Sequence, residues 1–481
     1  MMNQNATPVD VLYKIFVHLD VIDLIRLQQV SASLYSVLQD RSVWSDAFRI
    51  SSLPRSKGPF PWQSASYLKS ALITQAKLKQ NWPPRPEILA RIATIVVTFN
   101  NNQWVGQFEL VLGRWLIFVL HSEVLKVCCY DIHSQLSSQY QHVIYEVQDT
   151  GAQITHLACA DVATVDGQFV FVAFVQGNML DANADGPEDT LKIYKMTLSA
   201  RLDAIFELVL DIPYGPQSVH LQVTAQALLI VGRASARDYY EKTWIMDIQT
   251  YRVYRLPPPE ASPELDRRRA LGLSVRIFIG TTHIFVVHTP MPGWGGYYNC
   301  FAEAYPVCQL FRGELTRPSH RSSIPHVVQA PKRWSIHDLP DGSSSITLMA
   351  GAGSHIALVR LTLASSSSPP PPDQTAQLHF DSSFLEGLST SDRRKLCDSI
   401  GGDDQDRRIL CYSINRHLRG HRYCVDETKA HFCATPGLNQ GSIPVNTSRI
   451  RYNEAEGCIV LQESFNTLSI LKFGSEYSCS N

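Results

Sequence analysis

No cysteine occurs before Cys128 in this chain of 481 residues, which removes disulfide bridges and cysteine-based metal clusters as staples for roughly the first quarter. An excess of one charge is missing too. Lys and Arg number 43 against 44 Asp and Glu, a net charge of -1, so no bulk field draws the chain to nucleic acid or an anionic membrane. No apolar run approaches the roughly 20 residues that span a bilayer, and "MMNQNATPVD" lacks the basic start and apolar core of a signal peptide. The 11 cysteines are an odd number, scattered through strand-like runs such as "VCCYD" and "ILCYS". They read as reduced, buried thiols rather than a secreted disulfide framework. The expectation is a cytoplasmic or nuclear protein with no membrane partner and no nucleic acid, in which the sequon at Asn446 goes unused.

Catalytic signatures are equally scarce. GxSxG, HExxH and Walker patterns are absent, and "GAGSH" at Gly351 has no third glycine and no strand-to-helix change around it. The densest ligand-like stretch, "HLRGHRYCVDETKAHFC", holds His417, His421, Cys424, His431 and Cys433 but no Cys-x2-4-Cys knuckle. It reads as ordinary strand and loop. Vicinal Cys128 and Cys129 in a strand would point to opposite faces and so cannot act as a pair. No catalytic residue, metal or cofactor is expected.

What is present begins at residue 7. "TPVDVLYKIFVHLD" supplies a hydroxyl, a proline and an early carboxylate, a helix-start signal with Thr7 as N-cap and Pro8 at the first helical position. Val11, Leu12, Ile15, Phe16 and Leu19 then paint one broad apolar stripe. Further short helices follow: one with Leu24, Ile25 and Leu27, one capped by Ser31 with Leu34, Val37 and Leu38, and one with Trp44 and Phe48. A unit this small is near the lower limit for folding alone. Without staples, a protein partner is the remaining support.

In order and spacing, Pro8, Asp10, Val11, Leu12, Ile15, Phe16, Leu19, Asp23, Leu24, Val30, Ser31, Leu38, Asp40 and Trp44 resemble the F-box. Thr7 stands where that family usually has leucine, Asp10 replaces glutamate, and Leu34 sits where an aromatic is common. The resemblance implies docking on the small Skp adaptor of SCF ubiquitin ligases and, through it, on a cullin. By motif position, Pro8, Leu12, Ile15, Leu24, Val30 and Ser31 would face the adaptor, while Phe16, Leu38 and Trp44 would form the small core.

From Trp62 to Trp82 the spacing of Leu68, Leu72, Ala76 and Lys79 predicts an amphipathic helix, stopped by "PPRP" from Pro83. This arrangement resembles fungal F-box chains. Residues 1–50 are thus the F-box helices and 51–90 a stiff linker helix. Residues 91–481 change character and become short β-like runs between turn residues.

Those runs recur in pairs: "RWLIFVLHS" with "VLKVCCYDI", "QFVFVAFVQ" with "TLKIYKMTL", "ALLIVGRAS" with "KTWIMDIQT", and "HIFVVHT" with "CQLFRGEL". "SITLMAG" with "HIALVRLTL", "RILCYSI" with "HRYCVDE", and "GCIVLQE" with "LSILKFG" follow. The period is about 55 residues, somewhat above the 40 to 50 of a propeller blade, with inserted loops as the excess. Tyr130-Asp131 and Met246-Asp247 resemble a degraded WD-repeat signature. The predicted fold is α+β and multidomain: a small all-α F-box, a linker helix and a large all-β domain, a β-propeller of about seven blades. A pair of β-sandwiches is the alternative.

The function implied is a non-catalytic substrate-recognition subunit of a ubiquitin ligase, presenting an unknown protein substrate on the propeller. A glycine-rich insertion with Trp294, Tyr297 and Tyr298 is the candidate substrate contact. Arg267 to Arg269 read as a solvated turn. Two rivals stay open: a hydrolase-like propeller enzyme with a helical cap, and an F-box scaffold that promotes no degradation.

Overall fold

The computed structural model describes residues 8–51, 58–81, 93–132, 141–148, 151–164, 167–178, 189–198, 204–213, 219–224, 226–232, 243–256, 273–280, 282–290, 300–314, 318–324, 333–338, 344–352, 355–363, 376–384, 407–414, 417–425, 430–431, 443–444, 449–453 and 458–472. Between residues 322 and 450 it describes backbone pairing alone.

Five helices open the chain: α1 (Val9–Phe16), α2 (Val21–Leu27), α3 (Ala32–Val37), α4 (Arg41–Ile50) and α5 (Ala65–Asn81). Three of the first four start on a side-chain cap. Asp20 accepts from the Asp23 amide, Ser31 from that of Leu34 and Asp40 from that of Ser42, each satisfying a donor that a helix start leaves unpaired. The first helix differs from expectation: Pro8 is its N-cap and makes no side-chain cap bond, while Thr7 lies outside the described residues. Proline's fixed φ still suits the entry to a helix.

Phe16, Leu24, Leu38, Trp44 and Phe48 pack into one core with Leu68 and Leu72 of α5. The indole N–H of Trp44 donates to the Leu38 carbonyl at 2.7 Å, so the largest buried side chain leaves no polar group unsatisfied. Leu68 and Leu72 are fully buried, and each stabilises the unit by about 1.5–3 kcal/mol. The helix expected as a connector therefore shares the core of the N-terminal unit. Its junction to the remainder runs through Trp62, whose indole N–H donates to the Thr164 carbonyl at 2.7 Å.

The β-rich part starts at β1 (Ala93–Thr98). A first antiparallel unit follows: β2 (Trp104–Val111), β3 (Trp115–His121), β4 (Val124–Asp131) and β5 (Gln141–Gln148). The second holds β6 (Ala152–Thr164), β7 (Gly167–Asn178), β8 (Thr190–Leu198) and β9 (Ala204–Pro213). The third holds β10 (Val219–Val223), β11 (Ala227–Gly232), β12 (Thr243–Asp247) and β13 (Val253–Arg255). The fourth is β14 (Leu273–Ile279), β15 (His283–Pro290), β16 (Cys300–Pro306) and, after helix α6 (Val307–Arg312), β17 (His320–Ile324).

The fifth unit is β18 (Arg333–Asp338), β19 (Ser344–Ala352), β20 (His355–Leu363) and β21 (Ala376–Phe384), joined edge to edge with the fourth by parallel pairing of β17 and β21. The sixth has β22 (Arg407–Ile414) and β23 (His417–Val425), with β24 (Ala430–His431) and β25 (Ile443–Pro444) both pairing along β23. The last comprises β26 (Arg449–Asn453), β27 (Cys458–Ser464) and β28 (Thr467–Lys472), and β1 adds to it beside β28. Among the described residues seven such units follow one another in chain order, the last completed by the first strand, as the blades of a β-propeller do.

Face-to-face packing joins the last sheet to the first and the first four sheets in series. Leu228 and Ile230 face the second sheet, whereas Leu229 and Val231 face the fourth. A strand covered on both sides reads as an unbroken apolar run rather than an alternation, which is why "LIFVL", "FVFVAFV" and "ALLIV" stood out. Cys128 and Cys129 likewise belong to different inter-sheet cores, as the strand period requires.

One expected strand is a helix. "CQLFRGEL" begins inside α6, where Val307 and Leu310 are buried at helical spacing. Gly313, at φ 73°, ends it in the left-handed conformation that glycine adopts without strain. The partner of β15 is instead β16, which lies between β15 and α6 in the chain.

Glutamines tie neighbouring inner strands. Gln107 of β2 donates to the Thr155 carbonyl at 2.7 Å and accepts from the Leu157 amide at 2.6 Å. Gln222 of β10 brackets Ile277 and Ile279 of β14 in the same way, at 3.2 and 3.0 Å. A side-chain amide has the same donor and acceptor as a peptide unit, so each glutamine serves as one residue of a strand that is not there.

Candidate functional site

On α1 the apolar stripe divides. Phe16 turns into the core and is buried, while Val9, Val11 and Ile15 stay on the surface, Ile15 with 47% exposed. Pro8 is exposed and Leu12 half-buried against the core. Val30 follows α2 with 69% exposed, and Tyr35 projects from α3. These aliphatic and aromatic side chains stay exposed on a unit whose other apolar residues close one core.

Of the residues expected at an adaptor interface, Pro8, Ile15, Val30 and Ser31 are exposed and Leu12 partly so. Leu24 is not among them. It has no exposed surface and stands in the middle of the core, because the Asp20 cap sets α2 with Val21 and Leu24 on the inward face. Ser31 is committed to its helix, accepting from the Leu34 amide at 3.2 Å. Phe16, Leu38 and Trp44 occupy the core as expected. Val11 and Tyr35 are exposed too, beyond the residues expected to face the adaptor, and only burial distinguishes them.

The face is held in shape by polar contacts at its rim. Tyr13 donates from its hydroxyl to Asp40 at 2.7 Å, fastening α1 to the start of α4. The Ser42 amide and this hydroxyl keep the Asp40 carboxyl below its usual pKa, and the bond to Asp40 raises that of Tyr13. Arg41 reaches the carbonyls of Phe60 and Gln63 at 2.6 and 2.8 Å, and the Phe60 ring stacks on Trp62 at 5.8 Å. Lys69 of α5 donates to Gln28 at 2.6 Å.

Within the propeller, the inner strands carry polar groups. Arg451 of β26 forks onto Glu109 of β2 with contacts of 2.8 and 2.9 Å. His156 and His220, on β6 and β10, meet edge to face at 5.7 Å. Burial first, then the neighbouring His220, pushes the His156 pKa down to about 4, so it is a neutral imidazole.

Farther round, Glu303 is buried beside His288 (3.3 Å), Tyr305 (3.1 Å) and Arg321 (3.4 Å). Burial disfavours its charge, but the contacts with His288 and Arg321 outweigh it and hold its pKa below the ordinary value. Burial also raises the Cys128 thiol to about 12 and Cys129 well above the ordinary range, which leaves neither reactive at neutral pH.

The WD-like aspartates close turns. Asp131 takes a forked pair from Arg114 at 2.7 and 3.0 Å, and Asp247 accepts from the Gln249 amide and the Thr250 hydroxyl. Around Gly351 the backbone is a hairpin between β19 and β20. Trp294, Tyr297, Tyr298, Arg267 to Arg269 and Cys433 lie outside the described residues. His417, His421 and Cys424 fall on β23 and His431 on β24, with Cys424 opposite His431. Among the described residues no group of three or more His, Cys, Asp or Glu is placed to hold a metal ion, and no helix is long and apolar enough to cross a membrane.

Residues 8–50 match the model of the F-box-like family. No curated protein matches the chain. Among solved structures the chain is similar to the tricorn protease, at 11% identity and a TM-score of 0.36, over 78% of this chain and 34% of that one. It therefore spans about a third of the length of that protein. It is also similar to a protein from Lactobacillus plantarum (12% identity, TM-score 0.33, 77% of this chain and 88% of that one). A third is the hemagglutinin-neuraminidase of Parainfluenza Virus 5 (9% identity, TM-score 0.34, 66% and 90%).

Proposed function

We propose, from the F-box-like domain that residues 8–50 form, that this chain is the substrate-recognition subunit of an SCF-type ubiquitin ligase. The helical unit docks on the Skp adaptor, and through it on a cullin, by the exposed Pro8, Val11, Ile15 and Val30 and the half-buried Leu12. The carrying observation is that the family match coincides with apolar side chains left in solvent on α1, Ile15 at 47% among them. Such a surface is stabilised once a partner covers it.

The propeller would hold the protein to be modified. The chain would perform no bond-making step of its own: tethering raises the effective concentration of a target lysine beside the charged conjugating enzyme. Because α5 shares the helical core and Trp62 is bonded to the propeller, the tether would be short.

The test is co-purification with the Skp adaptor, wild type against Ile15→Asp. The substitution places a charge among these exposed side chains without entering the core. Stoichiometric capture by wild type and loss by a variant with an unchanged unfolding curve is the expected result. Failure of the folded wild type to bind would overturn the reading.

A further inference from the structure

The rim where the propeller closes carries a second surface of unusual make-up. Trp104, at the start of β2, lies flat against His121 at the end of β3, ring centroids 3.6 Å apart and planes 2° from parallel. Gly106 makes room for that stack: a Cβ there would come within 2.6 Å of His121 Nε2. The register of β2 on β3 shifts at the same place, between Val105 and Phe108, which re-aims the strand end as a bulge does.

The β27–β28 turn is sewn to this platform. The Val105 amide donates to the Phe465 carbonyl at 2.7 Å, the Phe99 amide to the Asn466 carbonyl at 2.9 Å, and Gln462 Nε2 to the Val105 carbonyl at 2.9 Å. Below it, Phe99 is buried against Phe118, centroids 5.2 Å apart. The outer rings are held in solvent on this support, Trp104 with 46% and Phe465 with 78% exposed. Rigid aromatics displayed together are the residues that anchor interfaces.

Charge says what they would meet. The rim segments 98–105, 121–124 and 463–467 contain Glu123 and Glu463 and no Lys or Arg, and both carboxylates are exposed. Of the bases on the adjoining strands, Lys126 is paired with Glu146 and Arg451 with Glu109, while Arg449 starts β26 opposite Gln462. Aromatic faces beside exposed carboxylates favour an organic cation, which gains from the ring quadrupole and from the acidic charge together.

We infer that this rim is a docking surface for a basic segment of a partner protein, a Lys or Arg side chain lying over Trp104 and Phe465 with Glu123 and Glu463 meeting its charge. The inference rests on the receptor reading only in making that segment part of the ubiquitination target. The surface itself stands on the rim's own geometry.

The test is a displayed library of short random peptides panned on the folded full-length chain, followed by titration of the enriched peptides. Enrichment of Lys- or Arg-bearing sequences is expected. Their affinity should fall about tenfold in Trp104→Ala and in Phe465→Ala, on the scale of one lost cation–π and aromatic contact, and in the Glu123→Gln/Glu463→Gln double variant. No enrichment, enrichment of sequences lacking cations, or binding unchanged in these variants would overturn the proposal. So would wild-type self-association that Trp104→Ala abolishes, since the occupant would then be a second copy. Ile15→Asp, run in parallel, should leave peptide binding intact. A wild type that binds peptides at the rim but no adaptor would remove the receptor reading and leave the docking surface.

Discussion

Arg451 and Glu109 stand 342 positions apart in the chain and meet as a forked ion pair, with contacts of 2.8 and 2.9 Å. They join the inner strands of the last and first sheets, at the seam where β1 completes the ring. With side chains 41% and 26% exposed, the pair works in partly screened surroundings, and its contribution is about 1 kcal/mol. A double-mutant cycle of Arg451→Met and Glu109→Gln in denaturant unfolding should give a coupling of that size, shrinking in high salt. Purely additive effects of the two changes would show that the seam does not depend on the pair.

Leu24 and Ile15 make opposite predictions from similar chemistry. Leu24→Ala empties a fully buried site and should destabilise the helical unit by about 3 kcal/mol. Ile15→Asp changes a surface position and should stay within about 0.5 kcal/mol of wild type. Hydrogen exchange of the α2 and α4 amides separates them, with faster exchange in Leu24→Ala alone. Equal protection in both variants would contradict the placement of Leu24.

This pair also shows what the sequence could and could not reveal. Caps and apolar spacing locate the helices, and the F-box resemblance, by motif position, puts Phe16, Leu38 and Trp44 inside, where the structure has them. Motif position alone does not tell which apolar residues a partner covers, so Leu24 and Ile15 read alike though one is buried and the other exposed. In the propeller, strands covered on both faces announced themselves as runs such as "ALLIV". The inner strands, with Gln107, His156 and Gln222 turned toward their neighbours, carry a mixed pattern that periodicity passes over. "CQLFRGEL" misled because a short apolar run suits a strand or one turn of helix equally, and Gly313 decides only once the chain has folded. Trp104 and His121 meet across the β2–β3 pairing, but Phe465 reaches them only because the last sheet packs on the first, which no local pattern contains.

Stability should fall as the pH is lowered from about 6.5 to 4, with His156 and His283 contributing. Each has its folded pKa pushed down to about 4, mainly by burial and then by a neighbouring histidine, His220 and His320 respectively. In that window the unfolded chain binds protons that the folded chain does not, so the free energy of unfolding shrinks as pH drops, and the loss levels off once the folded groups also titrate. Above pH 6.5 neither residue contributes a slope. His156→Gln should flatten the fall measured by unfolding midpoint against pH; an unaltered slope would mean that His156 keeps its proton in the fold.

Trp62 couples the helical unit to the propeller through one hydrogen bond to the Thr164 carbonyl and an indole stacked on Phe60. Phe60 is in turn held by Arg41, so the chain of contacts runs from α4 to the end of β6 without a break. Trp62→Phe keeps a ring for the stack and removes the donor, at a cost of about 1 kcal/mol where solvent can replace the lost bond. Such a loss is small beside the stability of either unit but large for the orientation between them, which has few other described contacts. Spin labels on α4 and on the outer face of β7 should therefore report a broader distance distribution in the variant, with both units still folded and adaptor binding unchanged. An unaltered, narrow distribution would show that the orientation is fixed elsewhere and that Trp62 is an ornament on the junction rather than its hinge pin.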